Sequence, residues 1–144
     1  MTKFIESPAV QKLCELTKES YLRYWDERNG GNVSVRLAAS EVEGYEDVRE
    51  VKRVLDLGFD ASTLAGYYYL VTGTGRYFRN VTNQPLLDLG LVRISEDGQK
   101  AELLWGFEDG GKPTSEFASH LMSHIERLKV NPNHKVVFHC HPTN

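Results

Sequence analysis

Cysteine is scarce in this chain of 144 residues: Cys14 and Cys140 are the only two, and they lie near opposite ends. Two distant thiols are no disulfide framework; they fit a reducing compartment, where each reads as a small buried hydrophobe. Positive charge is not in excess either. Seventeen Lys and Arg stand against 20 Asp and Glu, a formal charge of −3, and no basic block interrupts the mixture. That argues against a nucleic acid held through its phosphates. No apolar run approaches the ~20 residues that cross a bilayer. The opening Met1-Thr2-Lys3-Phe4-Ile5-Glu6 lacks the apolar stretch of a signal peptide. The expected compartment is therefore the cytoplasm, with neither membrane nor nucleic acid as partner. Internal repeats and low-complexity tracts are absent as well. What is present is ordinary globular material, 40% hydrophobic, 10% aromatic and 26% charged. The length predicts a single domain over 1–144, large enough to bury about 68–70% of its extended surface without covalent staples.

Periodicity divides the chain into helices and strands. Ser7 before Pro8 is an N-cap followed by a first helical position, and Val10, Leu13, Cys14, Thr17, Tyr21, Tyr24 and Trp25 follow at helical spacing, so one helix is expected from about Pro8 to Asp26. It stops at Asn29-Gly30-Gly31-Asn32, beyond which Val33, Val35 and Leu37 alternate with Ser34 and Arg36, the pattern of a strand with one buried face. An acidic stretch, Glu41 to Glu50, precedes a strand expected over Val51 to Leu57 and a turn or short helix after Gly58. Gly66 to Thr72 has the aromatic and β-branched content of a strand and empties into Gly73-Thr74-Gly75. Leu89 to Ser95 and Lys100 to Trp105 flank Glu96-Asp97-Gly98 as a hairpin. Pro113-Thr114-Ser115-Glu116 opens a helix with Phe117, Leu121, Ile125 and Leu128 on one stripe, and Asn131-Pro132-Asn133 ends it before a strand over 135–141. The order of elements predicts an α/β fold with a mainly antiparallel sheet flanked by helices. Pro142-Thr143-Asn144 has the turn and cap residues that precede a further helix, so the chain is expected to be the N-terminal portion of a longer one.

The sharpest chemical signal is His139-Cys140-His141. Residues two apart on a strand project from one face, so both imidazoles can reach one metal ion. A pair of hydrogen-bonded surface histidines has the same spacing. Glu116, His120 and His124 stand at i, i+4 and i+8 on one helix face; the histidines can cap or pack, or bind metal, although the full H-E-x-x-H pattern is missing. Glu116 itself reads either as a first-turn carboxylate favoured by the helix dipole or as a general acid/base beside a metal. The two glycine loops and the Thr114-Ser115 pair offer backbone N–H groups, amides and hydroxyls with little positive charge, the equipment for holding a phosphate through neutral donors.

Several segments together carry a family resemblance: WDERNGGNVSVRL (25–37), VTGTGRYFRNV (71–81), Leu104 to Gly106, PTSEFASHLMSHIERLK (113–129) and HCHPTN (139–144). The chain resembles the class II sugar-phosphate aldolase and adducin family, and within it the branch acting on rhamnulose 1-phosphate. The glycine loops and the H-x-H pair mark only the wider family, whereas the lead-in at 25–28, the Arg-Tyr-Phe-Arg-Asn-Val run and the long segment 38–65 are similar to that branch. The resemblance implies a three-layer fold, incomplete at its C-terminus. It implies reversible cleavage of L-rhamnulose 1-phosphate to dihydroxyacetone phosphate and L-lactaldehyde in rhamnose catabolism, with one zinc ion per subunit of a cytoplasmic homotetramer. By the same resemblance His139 and His141 match two of three zinc histidines and Glu116 the catalytic glutamate. Asn29, Gly31, Asn32, Thr74, Gly75 and Ser115 match the phosphate and substrate pocket. Thr74 stands where the family's loop commonly has serine, which keeps the hydroxyl and adds a methyl group. The third histidine of the family lies beyond the H-x-H pair, so these 144 residues alone are expected to bind zinc weakly and turn over little substrate. Two other readings keep the fold: a fuculose 1-phosphate aldolase or a ribulose-5-phosphate 4-epimerase on the same loops, and a non-catalytic scaffold like the adducin head, which should lack the metal histidines.

Overall fold

The computed structural model describes residues 3–22, 32–73, 88–108, 110–113, 117–131 and 135–139. Its elements are α1 (Pro8–Leu22), β1 (Asn32–Leu37), β2 (Arg53–Asp56), β3 (Tyr68–Thr72), β4 (Leu89–Ile94), β5 (Lys100–Gly106), α2 (Phe117–Val130) and β6 (Val136–His139), with short 3-10 turns before α1 and between β1 and β3. The six strands form one sheet in the order β2-β5-β4-β3-β1-β6, and every neighbouring pair is antiparallel.

Helix α1 starts where its cap residues dictate. The Ser7 hydroxyl accepts a hydrogen bond from the Val10 N–H at 3.2 Å, which satisfies a donor that the first turn leaves open, and Pro8 follows as the first helical residue. The helix is described as far as Leu22; its expected continuation to Asp26 lies outside the described residues.

Alternation along the central strand divides the core in two. Tyr68 and Leu70 pack with Phe4, Val10, Leu13 and Cys14 on the α1 side. Tyr69 and Val71 pack with Phe117 and Leu121 on the α2 side. The result is three layers, helix on sheet on helix, and β3 is buried at all five positions because both its faces are covered. The one-faced reading of β1 is corrected by this second layer: Val33 and Leu37 face α1, while Ser34, buried as well, lies under α2. A bulge in β5 adapts the ladder to this packing. Leu91 pairs with Trp105 and Val92 with Leu103, which leaves Leu104 as the extra residue and lets both Leu104 and Trp105 join the α1-side core. Trp105 meets Phe4 edge to face there, with ring centroids 5.1 Å apart.

The hairpin between β4 and β5 turns at Gly98 with φ +72°, and a side chain on that residue would run into the backbone of Ser62. The Asp97 carboxylate accepts from the Ser95 hydroxyl at 2.6 Å and from the Gln99 N–H at 3.0 Å, so the turn is fastened by its own side chains.

Candidate functional site at one end of the sheet

Antiparallel pairing brings strand ends together in a way the sequence order hides. The first residue of β1, Asn32, is the register partner of His139, the last residue of β6. On the other side of β1, the Val33 N–H donates to the Thr72 hydroxyl at 3.1 Å, at the end of β3. One residue on, Gly73 forms an isolated antiparallel bridge with Pro113. Asn32, Gly73, Pro113 and His139 are where the four motifs join the fold, and all four lie at the same end of the sheet.

Most of the predicted site residues stand one to three positions along the chain from these anchors. Asn29, Gly31, Thr74, Gly75, Ser115, Glu116 and His141 lie outside the described residues, as does Cys140. Asn32 and His139 are placed through their backbone, opposite one another.

The connection that delivers Pro113 was not legible as a functional element. After β5 the chain turns through Gly106 (φ +86°), Phe107 (φ +46°) and Gly110 (φ +85°). A side chain on Gly106 would collide with the Leu89 carbonyl oxygen, and one on Gly90 with the Phe107 ring, so both glycines are required by close approach. The Arg53 guanidinium donates to the carbonyl oxygens of Phe107 at 3.3 Å, Gly110 at 3.4 Å and Gly111 at 2.5 Å. A left-handed Phe107 is sterically costly; three charge-assisted hydrogen bonds and its own buried ring hold it. The signal available in the sequence was the Trp-Gly-Phe step followed by Gly110-Gly111.

The helix histidines are packed into the interior. Ser34, His120 and His124 are 0%, 3% and 1% exposed. The Ser34 hydroxyl oxygen is 2.7 Å from Nδ1 of His120 and 2.9 Å from Nε2 of His124. A hydroxyl has one proton, so it donates to one ring and accepts from the other. Nδ1 of His124 is buried without a hydrogen-bond partner among the described residues. A bare nitrogen there costs less than an unpaired N–H, which assigns the Nε2–H tautomer to His124; Ser34 then accepts from His124 and donates to His120. Burial, with His120 and Arg36 nearby, pushes the His124 pKa down from 6.5 to about 4. Its ring also packs on Tyr69, with centroids 4.7 Å apart, and burial raises the Tyr69 phenol well above its ordinary value. Both histidines thus spend a ring nitrogen on Ser34, which favours the packing reading of this pair over metal binding.

Among the described residues no three His, Cys, Asp or Glu side chains gather in a way that could hold a metal ion. A zinc site in this region would draw on His139 and His141; β6 brings the backbone of His139 to the end of the sheet, and His141 lies outside the described residues. No helix among the described residues is long and apolar enough to cross a membrane.

Residues 11–144 match the family described as Class II Aldolase and Adducin N-terminal domain. Rhamnulose-1-phosphate aldolase from Listeria innocua is 47% identical over 145 aligned positions, which cover 100% of this chain and 53% of that protein. The enzyme of the same name from Enterococcus faecalis is 46% identical, covering 97% of this chain and 50% of its own length. This chain thus spans about half the length of the curated relatives it matches. Among solved structures, a sugar-phosphate aldolase from Thermotoga maritima superimposes with a TM-score of 0.76 at 33% identity, covering 92% of this chain and 53% of that one. YgbL from Escherichia coli shares the fold at a TM-score of 0.54 and 21% identity, covering 94% of this chain and 44% of its own. A layered antiparallel sheet with Asn32, Gly73, Pro113 and His139 at one end, and a family match over residues 11–144, lead to one assignment: the chain belongs to the class II aldolase and adducin N-terminal domain family.

Proposed function

We propose that this chain, as part of a protein of its relatives' length, is a zinc-dependent aldolase that reversibly cleaves L-rhamnulose 1-phosphate to dihydroxyacetone phosphate and L-lactaldehyde in rhamnose catabolism. The observation that carries the reading is the meeting of Asn32, Gly73, Pro113 and His139 at one sheet end. Identities of 46–48% to proteins named rhamnulose-1-phosphate aldolase support the choice of substrate.

In this reading His139 and His141 supply two zinc ligands. The ion, when bound, supplies a Lewis acid that lowers the cost of negative charge developing on the substrate's ketone oxygen. Asn29, Gly31, Asn32, Thr74, Gly75 and Ser115 hold the phosphate and its neighbouring oxygens through amides, hydroxyls and backbone N–H groups, a neutral set suited to an ester that must also leave. Cleavage breaks the C3–C4 bond: the C4 hydroxyl gives its proton to water as the aldehyde forms, the bonding pair stays with C3, and C3 takes up a proton from a side chain that water then reprotonates. Glu116 carries that proton, as an acid in cleavage and a base in condensation. The protein works as a cytoplasmic homotetramer.

A broader reading, a related sugar-phosphate aldolase such as a fuculose 1-phosphate enzyme, is favoured by the likeness to the Thermotoga protein. Release of dihydroxyacetone phosphate from L-rhamnulose 1-phosphate and L-fuculose 1-phosphate in a coupled assay, with C4 epimerisation of ribulose 5-phosphate followed separately, distinguishes these readings. Fastest release from L-rhamnulose 1-phosphate is expected; epimerisation of ribulose 5-phosphate without carbon-carbon cleavage would overturn the proposal.

A further inference from the structure

We propose that Ser34, His120 and His124 form a positioning clamp that holds the start of α2, and with it Glu116, in register with β1 at the sheet end where the site assembles. The proposal rests on the reading of Glu116 as the proton carrier.

Three observations carry it. Helix α2 meets the sheet chiefly through apolar residues, Phe117 and Leu121 against Tyr69, Val71 and Leu103. Such contacts are non-directional and tolerate small slides and rotations. Two hydrogen bonds of the Ser34 hydroxyl, at 2.7 and 2.9 Å, link α2 to β1 directionally. The clamp also sits where a shift would matter. His120 follows Glu116 by four residues in sequence, and Ser34 is two residues beyond Asn32, itself opposite His139. Finally, three polar side chains occupy an interior where Leu or Val would pack at lower desolvation cost. A polar cluster that is buried, specific in geometry and close to a site is suited to fixing one arrangement, not to adding stability.

The rings also define which substitutions keep the clamp. The side-chain amide of Gln reaches where Nε2 of histidine stands and can donate as His124 does; the Asn oxygen reaches where Nδ1 stands and can accept as His120 does.

In the complete protein, Ser34→Ala and His120→Leu are expected to lower kcat by about 10- to 100-fold, because a displacement near 1 Å costs about that much. KM and bound zinc should stay within about twofold by the same reasoning, since neither Ser34 nor His120 is among the residues proposed to hold the phosphate or the metal. His120→Asn and His124→Gln should recover most of the rate. Ser34→Ala, the smaller change, serves if His120→Leu does not fold, as judged by its thermal melt. The decisive comparison is a double-mutant cycle: in a Glu116→Gln background Ser34→Ala should cost less than about twofold, because its route to the chemistry is gone. Independent, additive losses would overturn the clamp and leave the role of Glu116 standing. A Glu116→Gln single variant that loses under tenfold would overturn both.

Discussion

Asn32 and His139 are direct partners in the β1–β6 ladder, although they are far apart in the chain. That pairing joins the start of β1 to the end of β6, and the bridge between Gly73 and Pro113 joins the residue after β3 to the segment that follows β5. The site proposed here follows from these two long-range pairings more than from any single motif.

Glu116→Gln keeps the size of the side chain and removes its titratable proton. If it carries the proton, kcat for cleavage should fall about 10²- to 10⁴-fold, or about 3–5 kcal/mol of barrier, in steady-state assays of the complete protein. A loss under tenfold would contradict the assignment.

If His139 and His141 are zinc ligands as proposed, His139→Ala and His141→Ala should each lower bound zinc, measured by elemental analysis after dialysis, by more than about tenfold. Chelator treatment of the wild type should abolish cleavage, with zinc restoring it. Full zinc retention by His139→Ala would place the metal elsewhere.

Acidification should weaken the fold through His124. Its pKa falls from 6.5 in an unfolded chain to about 4 in the folded one, so between those values the unfolded chain binds the extra proton and the folded chain does not. Stability is therefore undiminished above pH 6.5, declines as pH falls towards 4, and loses no more from this group below that, a total on the order of 3 kcal/mol. Denaturant unfolding of wild type and His124→Gln across pH 4–7 tests this. The difference between them should change with that slope, and a difference independent of pH would contradict it.

Gly106→Ala should be among the most damaging single-methyl changes in the chain. It places a side chain at φ +86° and against the Leu89 carbonyl oxygen. A cost of about 2–4 kcal/mol in unfolding free energy is expected, read from the denaturant midpoint. A change of under about 0.5 kcal/mol, the range of an ordinary surface substitution, would show that the turn relaxes freely.

Much of the fold was legible because local rules and tertiary packing agree. Ser7 and Pro8 announce α1, Tyr68–Thr72 has the residues of a buried central strand, and Asp97-Gly98 turns the hairpin. The stripe Phe117, Leu121, Ile125 and Leu128 marks the face of α2 that meets the sheet. Less legible were features set by partners distant in sequence. Ser34 between two valines reads as an outward residue, and only the layer of α2 above it makes it an interior one. The left-handed Phe107 and its tether to Arg53 depend on a strand more than 50 positions earlier. The motifs that name the family were visible as strings; what the strings could not show is that Asn32, Gly73, Pro113 and His139 reach the same end of one sheet.

The most direct test is a measurement of dihydroxyacetone phosphate release by the purified, zinc-loaded complete protein, with L-rhamnulose 1-phosphate and L-fuculose 1-phosphate offered in parallel. Efficient release from the rhamnulose ester, lost in Glu116→Gln and after zinc removal, is the predicted result. No release from either ester, with zinc bound and the protein folded, would contradict it and favour a non-catalytic member of the family.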